Sequence, residues 1–346
     1  GEKRPQAADL AQTLGELASR LRRDSEGRQW LAQARRSGCP DTPGIAVLEA
    51  QALAREISAD HAGERFEAAL RTFPDVSHVE ISFAMHLLEH GDPTRARGLC
   101  DAVLKREPTN QLALAYKTTA LQLLGDPAEY ELCDYQRMVT PVPVPVPEGF
   151  ANREEFFSAL SDVLDDLHKT HAQPLEQSVR GGTQTNGFLF RLKHPLLVTL
   201  EHQLREAVLS VIREFPADEH HPYWSRRQGA EAVGDIDFSG AWSVRLGEQG
   251  YHANHIHSEG WISSALYVAL PEAVQSASDQ QGYIQFGSPM SELGLTIEPR
   301  RVVRPEVGTL GLFPSYMWHG TLPFDSEEPR TTVAFDVVPE AEKRRA

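Results

Sequence analysis

The stretch HANHIHSEGW, residues 252–261, sets three histidines and one carboxylate, His252, His255, His257 and Glu259, within eight positions. Imidazole suits iron, zinc, copper and nickel, and carboxylate oxygens also bind divalent metals. Along an extended chain, side chains two residues apart share a face. If the stretch runs straight into the strand-like ISSALYVAL, His255 and His257 therefore approach one ion while His252 and Ile256 face elsewhere. A pair of histidines is half a metal site, so a third ligand must come from a distant segment. His319, in GTLGLFPSYMWHGTLPF, follows a strand-like run that ends in Pro-Ser. Eleven residues further on, Arg330 opens RTTVAFDV, with Thr332 two positions later. A guanidinium and a hydroxyl on one strand face can hold a carboxylate by a forked ion pair and a hydrogen bond.

Four segments carry a resemblance: PLEQSVRGGTQTNGFLF (174–190), GAWSVRLGEQGYHANHIHSEGWISSALYVALP (240–271), GTLGLFPSYMWHGT (308–321) and RTTVAFDVVP (330–339). Together they resemble the iron(II)- and 2-oxoglutarate-dependent oxygenases, in particular the bacterial group in which tetratricopeptide repeats precede the oxygenase domain. The resemblance implies a double-stranded β-helix, a jelly-roll or cupin-like build, with a metal at its mouth. It also implies Fe(II) as cofactor, 2-oxoglutarate as cosubstrate and O2 as oxidant. On the family's pattern His255 is the first metal ligand, His319 the distal ligand, Arg330 the anchor of the cosubstrate carboxylate and Thr332 its helper. His257 stands where that pattern has Asp or Glu. The set His255, His257 and His319 is then one negative charge short of the usual triad. Strand alternation favours His255, His257 and His319 as the ligands; the alternatives are that Glu259 reaches the metal, or that His252 with Asn254 forms the first half of the site with His255 and His257 behind it. The implied reaction is hydroxylation of an unactivated C–H, of a peptide or protein side chain if the repeats select the substrate, with conversion of 2-oxoglutarate to succinate. A cupin-type metal enzyme of non-oxygenase chemistry and a repeat scaffold with a degenerate oxygenase domain stay open beside it.

Other polar groups are substrate-binding candidates. QSVRGGTQT (177–185) offers Gln177, Arg180, Thr183 and Gln184 around a glycine pair, and either lines the substrate mouth or forms a tight turn. Arg245, on WSVRL beside Ser243, pairs with a substrate carboxylate or with an internal acid. Trp261 and Trp318 wall the pocket or pack in the core.

The elements that must position these groups are legible in the periodicity. From about residue 236, short aromatic and β-branched segments (FSGAWSVRL, GWISSALYVALP, GYIQFG, RVVRPEVGTLGLFP, RTTVAFDVVP) alternate with Gly and Pro, the texture of an antiparallel sandwich or barrel. REEFFSALSDVLDDLHKTH (153–171) and PLLVTLEHQLREAVLSVIREF (195–215) read as supporting helices. TPVPVPVPEGF (140–150) reads as an extended connector or an edge strand, because proline cannot donate to both sides of a sheet.

Upstream, the chain repeats with a period of 34. Leu53, Leu87 and Leu121 fall in register, as do Gly91 and Gly125, Pro74 and Pro108. This resembles tetratricopeptide repeats over roughly residues 43–130, with 1–42 as an irregular cap. Such repeats bind a peptide or protein, or else brace the second domain or mediate self-association as a homodimer. The fold class is therefore α+β multidomain. An N-terminal α-helical tetratricopeptide-like array (1–135) is joined by a Pro-rich connector (136–151) to an oxygenase-like β-domain with supporting helices (152–346).

Composition bounds the rest. A net charge of -15 over 346 residues repels a phosphate backbone, so nucleic acid is not an expected partner. GEKRPQAADL lacks the pattern of a signal peptide, and no run of 18 uncharged apolar residues suggests a membrane span, which together point to a cytoplasmic protein. Cys39, Cys100 and Cys133 have no paired spacing and are expected reduced and buried.

Overall fold

The computed structural model describes residues 5–168, 178–228, 236–276 and 278–340. These fall into two compact units, Gly1–Asp126 and Pro127–Ala346.

In the first unit, helices α1 (Pro5–Arg20) and α2 (Asp24–Arg36) precede the repeat. The repeat proper is α3 (Pro43–Glu56), α4 (Ala59–Thr72), α5 (Ser77–Glu89), α6 (Pro93–Arg106) and α7 (Gln111–Leu124). The first helices of successive pairs start at 43, 77 and 111, and the second helices at 59 and 93, so both recur at the sequence period. Local chemistry sets these starts. Thr42 Oγ1 accepts from the Ile45 N–H at 3.2 Å, Asp92 Oδ1 from Arg95 at 3.0 Å and Asn110 Oδ1 from Ala113 at 3.0 Å, each satisfying a backbone donor of a first turn. Gly91 and Gly125 end α5 and α7 at φ of +83° and +62°, which only glycine adopts without cost. Leu87 and Leu121 are buried, and Phe66 of α4 stacks on Phe83 of α5 at 5.1 Å.

The second unit opens with short helices α8 (Ala128–Leu132) and α9 (Tyr135–Met138). Here the structure corrects the expected boundary at 135. Glu129 receives a forked ion pair from Arg300 (2.9 and 3.1 Å), Arg301 donates to the carbonyls of Tyr135, Gln136 and Val139, and Tyr316 donates to Leu132. Residues 127–135 are therefore tied into the β-domain. The expected connector is in part a strand, β1 (Thr140–Pro143). It pairs antiparallel with one neighbour only, and such an edge tolerates the missing N–H of Pro141 and Pro143.

Helix α10 (Arg153–His168) and strand β2 (Val179–Gln184) follow, then α11 (Pro195–Arg213). QSVRGGTQT is thus mostly strand rather than a tight turn, with an irregular register between Arg180 and Gly182. The remaining strands are β3 (Ile236–His255), β4 (Ile262–Ala269), β5 (Ile284–Phe286), β6 (Arg301–Val303), β7 (Thr309–Pro314), β8 (His319–Thr321) and β9 (Arg330–Pro339). All pairings are antiparallel, in the order β1-β7-β4-β9-β3-β8-β5-β6, with β2 also on β3. Long strand β3 changes partner along its length: β9 takes residues 236–246, and β8 takes 252–255 past an irregularity. The result is the curled double-stranded β-helix. Its core gathers Val179, Val244, Leu246, Tyr267 and Phe324. No described helix is long and apolar enough to cross a membrane. Cys100 and Cys133 are buried free thiols, and burial pushes the Cys100 thiol up to about 12. Cys39 is only half-buried and donates to Gln12.

Candidate metal centre

Pairing register brings the distant histidines together. His255 ends β3 and His319 opens β8, and the two are direct cross-strand partners. Their rings lie 4.3 Å apart, as expected for opposed residues of an antiparallel pair. Gly320 makes the approach possible, because a Cβ there would meet Asn254 Oδ1 at 2.2 Å and the His252 carbonyl at 2.8 Å. His257 arrives differently from expectation. The chain leaves β3 at His255 and turns before β4, so His255 and His257 do not share one strand leading into ISSALYVAL. The His257 N–H donates to the Ser315 carbonyl at 3.0 Å, which pins the turn to the end of β7.

The three rings present one donor atom each, all within 4.8 Å of one another. Their other nitrogens are committed. His255 Nδ1 lies 2.8 Å from the Ala253 carbonyl, His319 Nδ1 lies 2.9 Å from the Met317 carbonyl, and His257 Nδ1 lies 2.6 Å from Asp336 Oδ1. Each acceptor demands a proton on Nδ1, which in a neutral ring leaves Nε2 bare. The His255 and His257 Nε2 atoms face each other at 3.1 Å, and Ser178 Oγ lies 3.4 Å from the His255 Nε2. Burial, followed by the proximity of the His257 imidazole, lowers His255 to about 3, and burial with His255 holds His319 well below the usual imidazole range. Three imidazole nitrogens that converge in this way form a donor set suited to a divalent first-row metal. Glu259 does not join them: it is exposed, and Ser258 donates to it. His252 Nε2 is buried and without a hydrogen-bond partner, yet it stands outside the cluster of three.

These histidines line a cavity of about 380 Å³ with Ser178, Gln184, Trp242, Phe313, Arg330 and Thr332. Arg330, Thr332 and Ala334 enter it from alternate positions of β9, the two-residue period of a strand. Arg330 is 2% exposed, lies over the Tyr267 ring at 5.1 Å, and has no carboxylate partner among the described residues. A buried guanidinium costs heavily unless an anion joins it, so Arg330 is suited to receive a carboxylate in this cavity. The Thr332 backbone is braced from behind. Ser243 Oγ donates to its carbonyl at 3.0 Å and accepts from His168 Nε2, while His168 Nδ1 accepts from Thr183.

Three expected substrate contacts lie elsewhere. Arg245 pairs with Asp165 of α10 at 2.8 Å, because the alternation of β3 turns it away from the cavity side of Val244 and Trp242. Trp261 is a core residue, whose Nε1 donates to the Tyr223 carbonyl at 2.9 Å while the ring packs on Phe215. Arg180 is exposed and its guanidinium donates to the Val179 carbonyl. Trp318 is buried and absent from the cavity wall, Gln184 reaches it, and Gln177 lies outside the described residues. Asp336, Ser178 and Trp242 belong to the site and were not anticipated. The signal for Asp336 was present: it is the one acid in RTTVAFDVVP, and it falls on the same alternation as Arg330 and Thr332.

Residues 240–336 match the family model described as "Putative 2OG-Fe(II) oxygenase". That range contains the three histidines, Arg330, Thr332 and Asp336, so the second unit carries an oxygenase domain of the 2OG-Fe(II) kind, whose cofactor is iron(II) and whose cosubstrate is 2-oxoglutarate. No curated protein matches the chain. Among solved structures, similarity is found to HygX from Streptomyces hygroscopicus with nickel, 2-oxoglutarate and hygromycin B bound (11% identity, 60% of this chain and 85% of that one, TM-score 0.39). A Pseudomonas putida prolyl-4-hydroxylase is similar at 12% identity, over 62% of this chain and 100% of that one, with a TM-score of 0.39. YrrB, described as a TPR protein with an unusual peptide-binding site, is similar at 15% identity, over 36% of this chain and 63% of that one, with a TM-score of 0.31.

Proposed function

We propose that this protein is an Fe(II)/2-oxoglutarate-dependent dioxygenase that hydroxylates an unactivated C–H of a peptide or protein side chain. The observation that carries the reading is the pairing, in one cavity, of three converging imidazole nitrogens with a buried arginine that has no carboxylate partner among the described residues. A metal alone would account for the first and not the second; a metal with a dicarboxylate cosubstrate accounts for both. In this reading His255, His257 and His319 hold iron through Nε2, and Arg330 and Thr332 hold the far carboxylate. Bound iron and 2-oxoglutarate together supply oxygen activation, with the cosubstrate oxidised to succinate and carbon dioxide as one oxygen atom enters the substrate.

The chain's own contribution is placement and exclusion of water. Arg330 fixes one end of the cosubstrate by a forked ion pair, and the His168–Ser243 brace keeps Thr332 in register beside it. Phe313 against His319 at 4.6 Å and Trp242 against His257 at 5.5 Å give the centre apolar walls. Gln184 is the polar side chain of β2 that reaches the cavity and is the remaining candidate for a substrate contact. A peptide or protein is the favoured substrate because a helical repeat array precedes the domain, and such arrays commonly bind extended partners.

Anaerobic titration of the Fe(II)-loaded protein with 2-oxoglutarate tests the reading. A visible metal-to-ligand charge-transfer band is expected, followed on admission of O2 by succinate formation that peptide substrates stimulate. No band and no succinate would refute the oxygenase reading and leave a metal enzyme of another chemistry.

A further inference from the structure

The three-histidine set lacks the negative charge that a carboxylate ligand would bring, while a buried carboxylate sits one imidazole away. Asp336 lies two positions beyond Ala334 on β9, following the alternation that brings Arg330 and Thr332 to the cavity. Its Oδ1 accepts from His257 Nδ1 at 2.6 Å and from Ser263 Oγ at 2.6 Å. Ser263 Oγ is in turn 2.9 Å from Ser315 Oγ, and both serines are fully buried. The carboxylate is only 7% exposed, and among the described residues no lysine or arginine pairs with it. A carboxylate removed from water without a cation is costly. A divalent ion on the far side of His257 is the cation this geometry provides for.

Resting on the metal-centre reading above, we infer that Asp336 is a positioning residue that supplies, through the His257 ring, the negative charge missing from the three-histidine centre. The charges of the loaded cavity then close. Arg330 offsets Asp336, and a divalent metal offsets the dianionic cosubstrate. The hydrogen bond also fixes His257 in the tautomer that leaves Nε2 free, and a charged acceptor makes that nitrogen a stronger donor to metal. Glu259, nearest in sequence, is thus not the replacement for the absent acid; Asp336, 79 positions from His257, is.

The test separates charge from mere orientation. Apoprotein is titrated anaerobically with Co(II) and Fe(II), and the Fe(III)/Fe(II) midpoint potential is measured, for the wild type, Asp336→Asn and Asp336→Ala. Asp336→Asn keeps the size and the carbonyl acceptor and removes the charge. It is expected to weaken metal binding about 10- to 100-fold, the usual range for outer partners of metal ligands, and to raise the potential. Wild-type affinity and potential in Asp336→Asn, with loss confined to Asp336→Ala, would show that the residue only orients the ring and would overturn the inference. If Asp336→Asn fails to fold, Ser263→Ala takes its place. It removes one hydrogen bond to the carboxylate but leaves the charge on His257, so metal affinity should be retained or rise; a 10-fold loss there overturns the inference too. Failure of the wider oxygenase reading is distinguishable, because it appears as a missing 2-oxoglutarate band in wild type that nevertheless binds metal. Wild type that binds no metal would overturn both.

Discussion

At the scale of single residues, the proposed function divides the cavity into a metal end and an anion end, and substitutions should separate them. Arg330→Ala is expected to weaken 2-oxoglutarate binding by at least about 10-fold, the loss of a charge-assisted pair of roughly 1.5–3 kcal/mol, while leaving Fe(II) affinity near wild type. Isothermal titration with each ligand in turn checks this. His257→Ala should lose stoichiometric iron and His252→Ala should retain it, read as bound metal after desalting; the reverse pattern would move the ligand set to His252. The pH dependence follows from His255, held at about 3 against an ordinary 6.5. Between those values the unfolded chain takes up a proton that the folded chain refuses. Stability of the metal-free protein is therefore undiminished above about pH 6.5 and falls as the pH drops through the window toward 3. Thermal melts of apoprotein at pH 7.5, 6.5 and 5.5 should show this decline, and His255→Gln should make it shallower, the remainder coming from His319 and His252, which are also held below the usual imidazole range.

At the scale of elements, the site depends on strand registers more than on any one loop. Strand β9 carries both Arg330, the proposed anion anchor, and Asp336, and β3 and β8 meet where His255 faces His319. Gly320 lies one residue past that junction with no room for a side chain. Gly320→Ala should push β8 away from Asn254 and lower metal affinity by about 10-fold or more, with a smaller loss of thermal stability, since a misplaced ligand loses far more coordination than packing. Metal titration beside a thermal melt distinguishes the two effects. The elements themselves were largely legible: both supporting helices and the strands around Ser243, Ser264 and Val333 occur where period and β-branched content place them. The short pieces were less so. Of the two readings of the proline-rich run the edge strand is the one that holds, and residues 179–184 pair with β3, because pairing with a distant strand outweighs the local preference of Gly and Pro for turns.

At the scale of the molecule, the division between the units falls after Asp126 rather than after residue 135. The helical unit expected from the sequence extends to residue 135, past the last matched positions of the 34-residue period, Asp92 and Asp126. The hydrogen bonds of residues 127–135 assign them to the β-domain, through Glu129 with Arg300 and Leu132 with Tyr316. A fragment that begins at Pro127 should fold and bind metal. One that begins at residue 136 leaves the Arg300 guanidinium and the buried Tyr316 hydroxyl without partners and should be less stable by more than about 2 kcal/mol. Urea unfolding of the two fragments measures the difference.

By itself, the sequence determined what nearest neighbours encode. The repeat is visible because caps, glycines and prolines act within one helix, and the strands because alternation is a property of consecutive residues. It also nominated His255, His257, His319, Arg330 and Thr332, since short ligand spacings and a resemblance survive without a fold. Only the tertiary structure decided which groups meet. The register of β3 against β8 set His319 opposite His255, the turn after β3 carried His257 to Ser315, and the outward alternation of β3 gave Arg245 to Asp165. The register of β9, which sets Asp336 opposite Gly240 of β3 and Ser263 of β4, placed it beside His257 across 79 positions. Contacts of that reach depend on how strands pair and curl, a choice settled by burial of the whole core and not by any local run of residues.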